Sequence, residues 1–203
     1  MAEGTRPSGG EALVLATRNP HKVREVSRLL APAGIAVEPL PDGVELPPEV
    51  GDTFESNALP KARTAAAATG RPSIADDSGI EAEALGGAPG VRSARYAGPN
   101  ASDEENLEKL MRAAPAGSPL RYVCAMAFVD PDPVSGGEQV FFGECRGRLA
   151  TEPRGSGGFG YDPAFLPDED RQHRTMAEMT DQEKDEISHR GRAVRELARW
   201  LTT

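Results

Sequence analysis

Two adjacent carboxylates, Asp76 and Asp77, stand in the stretch IADDSG directly after the apolar pair Ile74 and Ala75. Neighbouring acids repel each other, so the pair calls for a cation. A hard ion such as Mg2+ takes one or two carboxylates together with substrate phosphates. Glu49 and Glu55, on and after the preceding loop, are candidates for a further ligand. A turn whose aspartates cap backbone amides is the plainer alternative for the same residues.

A second constellation is the turn TRNPHK, comprising Thr17, Arg18, Asn19, Pro20, His21 and Lys22. Backbone N–H groups at a helix start, with Lys22 one turn in, form a cradle for phosphate. The P-loop pattern G-x-x-x-x-G-K-[ST] occurs nowhere, and an empty strand–helix turn is the alternative. A third is GSGGFGYDP. Its formal G-x-G-x-x-G lies far from the first strand, and Pro163 prevents a normal helix start, which excludes a dinucleotide fingerprint. Phe159, Gly160, Tyr161 and Asp162 put aromatics beside low-bulk backbone, which suits a stacked planar ligand; a flexible surface loop is the alternative. The fourth is the run TDQEKDEISHRGRAVREL, with Lys184, His189, Arg190, Arg192 and Arg195. A solvated helix face is the default for such a run, but His189 to Gly191 interrupt the helical pattern and suggest a bend that presents donors. Taken together, a cradle, an acid pair, an aromatic loop and a basic patch are the kit for a nucleoside triphosphate.

The elements that must position these groups follow from periodicity. EALVLAT, 11 to 17, reads as a strand, with Asn19 as N-cap and Pro20 as first helical residue of an amphipathic helix fading near Gly34. IAVEPL is a second strand, followed by a loop from Pro41 to Gly51. DTFESNALPKARTAAAATG predicts a helix capped by Asp52 or Thr53 and stopped at Gly70, with Pro60 causing a kink or a late start. PSIAD is a strand ending at the acid pair, at the end of a strand where α/β folds place ligands. GIEAEALGGAPGVRSARYAG reads as an ordered loop. SDEENLEKLMRAA is a helix with a capping box from Ser102 to Glu105. RYVCAMAFVD and EQVFFGECRGRLA form a hairpin around PDPVSGG, and one or two helices close the chain from about Thr180 to Trp200. The fold class is α/β with a mixed twisted sheet flanked by helices, in a single domain over 11–203 behind a disordered leader, 1–10.

With 203 residues and a formal net charge of -9, the chain argues against a general nucleic-acid binder, which needs a basic face. No apolar run approaches the roughly 20 residues of a membrane span. The N-terminus lacks the apolar segment of a signal peptide, so a cytoplasmic protein is expected. Cys124 and Cys145 show no C-x-x-C spacing and read as reduced core thiols, with a cross-hairpin disulfide as the alternative. The three histidines are too scattered for a zinc site, and no G-x-S-x-G marks a serine hydrolase.

LVLATRNPHKVREVSRLL, DTFESNALPKA, IADDSGIEAEALGGAPGVRSARYAG, GGFGYDPAFLP and EKDEISHRGRAV occur in an order that resembles the inosine triphosphate pyrophosphatase family, also called non-canonical purine NTP or dITP/XTP pyrophosphatases. The resemblance spans Leu13 to Trp200. It implies an elongated two-lobed fold with a central cleft, a homodimer, and Mg2+-dependent hydrolysis of ITP, dITP and XTP to the monophosphate and pyrophosphate. By the same resemblance Thr17, Asn19 and Lys22 match the phosphate-binding turn and Asp77 the catalytic acid. Ser78 matches a substrate contact and Glu49 an acidic metal ligand beside Asp77. Phe159 to Asp162 match the base-binding loop, while Lys184, His189 and Arg190 match the remaining substrate contacts. On that reading His189 and Arg190 donate to a 6-keto oxygen, and either Asp76 or Asp77 touches the attacking water. Three departures stand out: Arg18 where the family often has glycine, Ser56 where a second acid is common, and Pro60 within a helix. A pyrophosphatase for pyrimidine or other modified nucleotides would keep the metal and change the base loop. A non-catalytic nucleotide sensor would bind without releasing product. A haloacid-dehalogenase-type phosphatase would need D-x-D after its first strand, which here ends LATRN.

Overall fold

Asn19 is where the first strand hands over to the first helix. Its extended backbone and side chain, which accepts from the His21 and Lys22 amides, cap the helix that Pro20 opens. The computed structural model describes residues 12–134 and 136–203, so the expected leader, 1–10, lies outside the described residues. β1 is Leu13–Leu15 and α1 is Pro20–Leu30. A 3-10 turn then ends at Gly34, whose φ of 72° suits a residue without a Cβ. β2 (Val37–Pro39) follows, then the loop to Gly51, then α2 (Phe54–Thr69).

α2 starts at Phe54 and runs without interruption past Pro60, so the late start anticipated from that proline does not occur. Thr53 is the cap. Ser56 donates and accepts in the reciprocal bonds of a capping box, which gives the serine a helix-starting role at the position where an acid was expected. β3 corrects the reading more sharply. It spans Ser73–Ala82 and carries straight through the acid pair, so Asp76 and Asp77 lie mid-strand, not at a strand end. The stretch after the pair looked too glycine-rich for an element. Yet Ser78 to Ala82 continue the ladder before the 3-10 turns Glu83–Leu85 and Gly90–Arg95 begin.

α3 (Asp103–Ala113) has the expected Ser102–Glu105 box, and β4 (Pro119–Val129) and β5 (Glu138–Leu149) are adjacent strands. A short β6 (Phe165–Pro167) was not anticipated; three residues carry too little alternation to read. Ser188 separates α4 (Asp181–Ile187) from α5 (His189–Thr202), so His189 to Gly191 open a helix where a bend had been expected. The six strands form one sheet in the order β2-β1-β3-β4-β5-β6. β1 is parallel to β2 and β3, and β5 is antiparallel to β6, so the sheet is mixed, as expected of this α/β chain.

Two compact units divide the chain, and β3, β4 and β5 contribute residues to each. The first comprises the described residues up to Asp77, Cys124–Phe142 and Arg190–Thr203. Its core packs Leu13, Leu15, Val26, Leu30, Ile74, Met126, Phe128 and Leu197. The second comprises Ser78–Val123 and Gly143–His189, with Ile80, Leu107, Leu110, Leu120, Leu149, Phe165 and Met176 at its centre. Removing such a side chain from water contributes about 1.5–3 kcal/mol. Cys124 and Cys145 are both buried thiols outside any disulfide, which agrees with the thiol reading and not with the disulfide.

Candidate active site

Successive side chains of a strand point to opposite faces of its sheet, so Asp76 and Asp77 meet different neighbours in the first unit. Asp76 is 1 % exposed. Its Oδ2 lies 3.0 Å from the Lys22 ammonium and accepts from Arg190 Nε at 3.2 Å and Nη2 at 3.1 Å. Burial alone would raise this carboxyl, but Lys22, Arg190 and Lys61 outweigh it and hold it well below the usual carboxylate range. Arg190 Nη1 donates to Glu25 Oε2 at 2.6 Å, and the guanidinium stays protonated because both acids outweigh the effect of burial.

Asp77 faces α2. Its Oδ2 accepts from Asn57 Nδ2 at 3.0 Å, and its Oδ1 lies 3.6 Å from the Lys61 ammonium. Lys61 in turn donates to Glu49 Oε1 at 2.7 Å and to the Asp76 carbonyl at 2.8 Å. Burial pushes the Asp77 carboxyl up and the charge of Glu49 adds to this, with Lys61, Lys22 and Asn57 opposing. Burial would lower Lys61, yet Asp77, Glu49 and Asp76 together keep its pKa above the ordinary value. Glu49 and Asp77 thus already share one cation.

Around the cradle, the Thr17 hydroxyl accepts from the Asn19 amide at 3.2 Å, and Asn19 Oδ1 takes the His21 and Lys22 amides at 2.9 and 3.3 Å. Those two N–H groups serve the cap, so Lys22 is the cradle's principal cation. His21 Nδ1 pairs with Arg24 at 2.9 Å. Arg18 turns away, donating to the carbonyls of Leu40, Pro41 and Val44 and pinning the loop that leads to Glu49.

The remaining expected residues gather in the second unit around Asp162, which is 2 % exposed. Its Oδ1 accepts from the Tyr122 hydroxyl at 3.1 Å. Its Oδ2 accepts from the Phe159 amide at 2.9 Å and from Lys184 at 2.7 Å. The same ammonium sits 5.0 Å from the centre of the Phe159 ring, a cation–π distance. A Cβ on Gly158 would run into the Asp162 carboxylate, which gives one glycine of the loop a packing reason. Gly160 donates to Asp103 at 2.9 Å. The Tyr161 hydroxyl, pushed up by burial and so protonated, donates to the Ser93 carbonyl at 2.8 Å. His189 stacks on Tyr122 with ring centres 4.5 Å apart and 5° between planes. Ser78, half-buried, follows Asp77 on β3.

Within the first unit the structure joins Thr17, Asn19, Lys22, Glu49, Asp77 and Arg190; within the second it joins Phe159 to Asp162, Lys184 and His189. Sequence reasoning missed Glu25, Asn57, Lys61, Asp103 and Tyr122. Nothing local marks Lys61 or Asn57 in the alanine-rich helix NALPKARTAAAAT, because their burial is set only by folding. Nothing in the spacing signalled Tyr122.

The Ham1 family model matches residues 13–200 of the chain. A dITP/XTP pyrophosphatase of Frankia alni is 50% identical over 200 residues, covering 93% of this chain and 96% of that protein. One of Symbiobacterium thermophilum is 52% identical over 187 residues, covering 90% of each. Among solved structures, a HAM1 protein from Coxiella burnetii is 40% identical with a TM-score of 0.83, covering 95% of this chain and 99% of its own. The Staphylococcus aureus Ham1 protein is 35% identical with a TM-score of 0.79, over 95% and 98%.

Proposed function

The chain belongs to the Ham1 family, and from that premise we propose that it hydrolyses the non-standard purine triphosphates ITP, dITP and XTP to the monophosphate and pyrophosphate. The observation that carries this is the division of labour between neighbouring acids. Asp76 is neutralised by Lys22 and Arg190, and so holds the cradle lysine in place. Asp77, with Oδ2 held by Asn57 and Oδ1 on the side shared with Glu49 and Lys61, is the carboxylate placed to orient a water.

Glu49 and Asp77 fit a divalent cation. Both are oxygen donors, and they already converge on the Lys61 ammonium at 2.7 and 3.6 Å. Among the described residues no three or more His, Cys, Asp or Glu side chains form a metal cluster. Two carboxylates and no cage suit Mg2+, which completes its octahedron with water and substrate phosphates. Bound there, Mg2+ would neutralise triphosphate charge and polarise the phosphoryl oxygens.

In this reading Asp77 orients a water toward the α-phosphorus and accepts its proton, while Lys22 holds the phosphates through departure of pyrophosphate. Phe159 stacks on the purine, and Asp162 keeps that ring and Lys184 in register. A 6-keto oxygen accepts hydrogen bonds where adenine's 6-amino group donates them. Donors from the Lys184–His189 stretch would therefore reject adenine nucleotides, by about 10⁴-fold in favourable cases. The enzyme acts as a homodimer on free cytoplasmic nucleotides, an assignment that rests on the family resemblance and that light scattering of the purified protein tests for the dimer.

The test is a product assay with ITP, dITP, XTP, GTP, ATP and CTP, with and without Mg2+, scoring pyrophosphate separately from orthophosphate. The reading expects pyrophosphate from the first three, only with metal. Orthophosphate as the product, or equal turnover of ATP, overturns it.

A further inference from the structure

We propose that Asn57 is a positioning residue that locks the Glu49 loop and the Asp77 carboxylate into one unit, and so sets the affinity of this acid pair for a divalent cation. The inference rests on the metal reading of Glu49 and Asp77 given above and extends it to a residue that touches neither metal nor substrate.

The geometry is a three-point clamp. Asn57 Oδ1 accepts from the Gly51 amide at 2.8 Å, while Nδ2 donates to the Gly51 carbonyl at 3.3 Å and to Asp77 Oδ2 at 3.0 Å. A primary amide has two donor hydrogens and one acceptor oxygen, and here all three are committed. The side chain is 3 % exposed, so water replaces none of these bonds without cost. Gly51 ends the loop that carries Glu49, two residues earlier. Fixing the backbone of Gly51 fixes the reach of Glu49, and holding Asp77 Oδ2 leaves Oδ1 aimed at the shared cation position now taken by Lys61.

Gly51 is shaped for this clamp. A Cβ there would stand 2.8 Å from Asn57 Oδ1 and would also collide with the Ser56 hydroxyl. A Cβ at residue 51 therefore presses on the start of α2 at Ser56 and on the Asn57 side-chain amide. Groups that orient metal-binding carboxylates typically cost about 10–100-fold in metal affinity or activity when removed.

The experiment is Mn2+ titration of the full chain without nucleotide, followed by the loss of the free-ion EPR signal, together with kcat and KM for ITP. Wild type is compared with Asn57→Ala and Gly51→Ala, and melting temperature is recorded for each. The expectation is a Mn2+ Kd weakened about 10-fold or more in both variants, a kcat reduced similarly, and a KM for ITP within about threefold. A purely structural asparagine would lower the melting temperature and leave the Mn2+ Kd of the folded fraction unchanged, and that result overturns the proposal. Gly51→Ala keeps the Asn57 side chain, so it tests the clamp even if Asn57→Ala fails to fold. Wild type that binds no Mn2+ removes the metal reading and this inference together. Wild type that binds Mn2+, with both variants equal to it, removes only the role of Asn57.

Discussion

Replacing Arg190 by Met separates two roles for a residue that resemblance alone assigns to the substrate. The guanidinium is 2 % exposed, and its hydrogen bonds include two to Asp76 and one to Glu25. Arg190→Met keeps much of the volume and removes the charge. Breaking a buried ion pair from one side costs about 3–5 kcal/mol, because the partner is left charged and buried. Here Lys22 stays 3.0 Å from Asp76, so the loss falls mainly on Glu25. That places the cost near the low end, about 3 kcal/mol. At about 2–4 °C per kcal/mol for a domain of this size, the melting temperature should fall by roughly 6–12 °C. Differential scanning calorimetry of wild type, Arg190→Met, Glu25→Gln and the double variant measures it. The double variant should be less destabilised than the sum of the singles by about 0.5–3 kcal/mol. A melting temperature within about 2 °C of wild type, with turnover of ITP lost, would refute the reasoning and place the guanidinium on the substrate.

Other outcomes follow from the same network. Asp77→Asn should lower kcat for ITP by about 10²–10⁴-fold, the range for removing a general base, and Lys22→Ala should abolish turnover; circular dichroism should show both folded, and near-normal rates in either would remove the assignment. Asp76 is held below its ordinary value near 3.9, so its contribution to stability is present above that pH and is lost as pH falls below it. The urea midpoint should therefore drop more between neutral pH and about pH 3.5 in wild type than in Asp76→Asn, and equal drops would show that the carboxylate is not paired. Burial pushes the Cys124 thiol up to about 12, so it should be inert to Ellman's reagent in the native protein and titrate only in denaturant; rapid native labelling at that residue would contradict its burial.

How much of this was legible depends on where the information sits. Helix starts were readable to the residue at Asn19 and Ser102 because a cap is a local bond between near neighbours in sequence. The end of β3 was misplaced because Asp, Ser and Gly are locally turn-forming residues. Whether they extend a strand is decided by the ladder beside them, which a single strand's sequence does not contain. The same limit hid Lys61 and Tyr122. Lys61 carries no local mark within its alanine-rich helix, and its oxygen partners on Glu49, Asp76 and Asp77 are brought near only by folding. Residues of the Phe159–Asp162 loop were legible as a group, since glycine and aromatic clustering is a local signal. Their anchoring through Asp162 was not, because Tyr122 and Lys184 lie 40 and 22 positions away in the chain.

Mid-strand placement also resolves the question that the acid pair raises. Two aspartates in a turn would face the same solvent and repel, and one shared cation would have to serve both. On a strand the side chains alternate, so each carboxylate meets its own nearest partners. Asp76 pairs with Lys22 and Arg190, and Arg190 pairs with Glu25 as well. Asp77 lies against Lys61, which also holds Glu49. The alternation that sets Asp76 against Lys22 and Arg190 therefore leaves Asp77 beside Glu49, and it is this second pair to which the metal reading assigns the divalent cation.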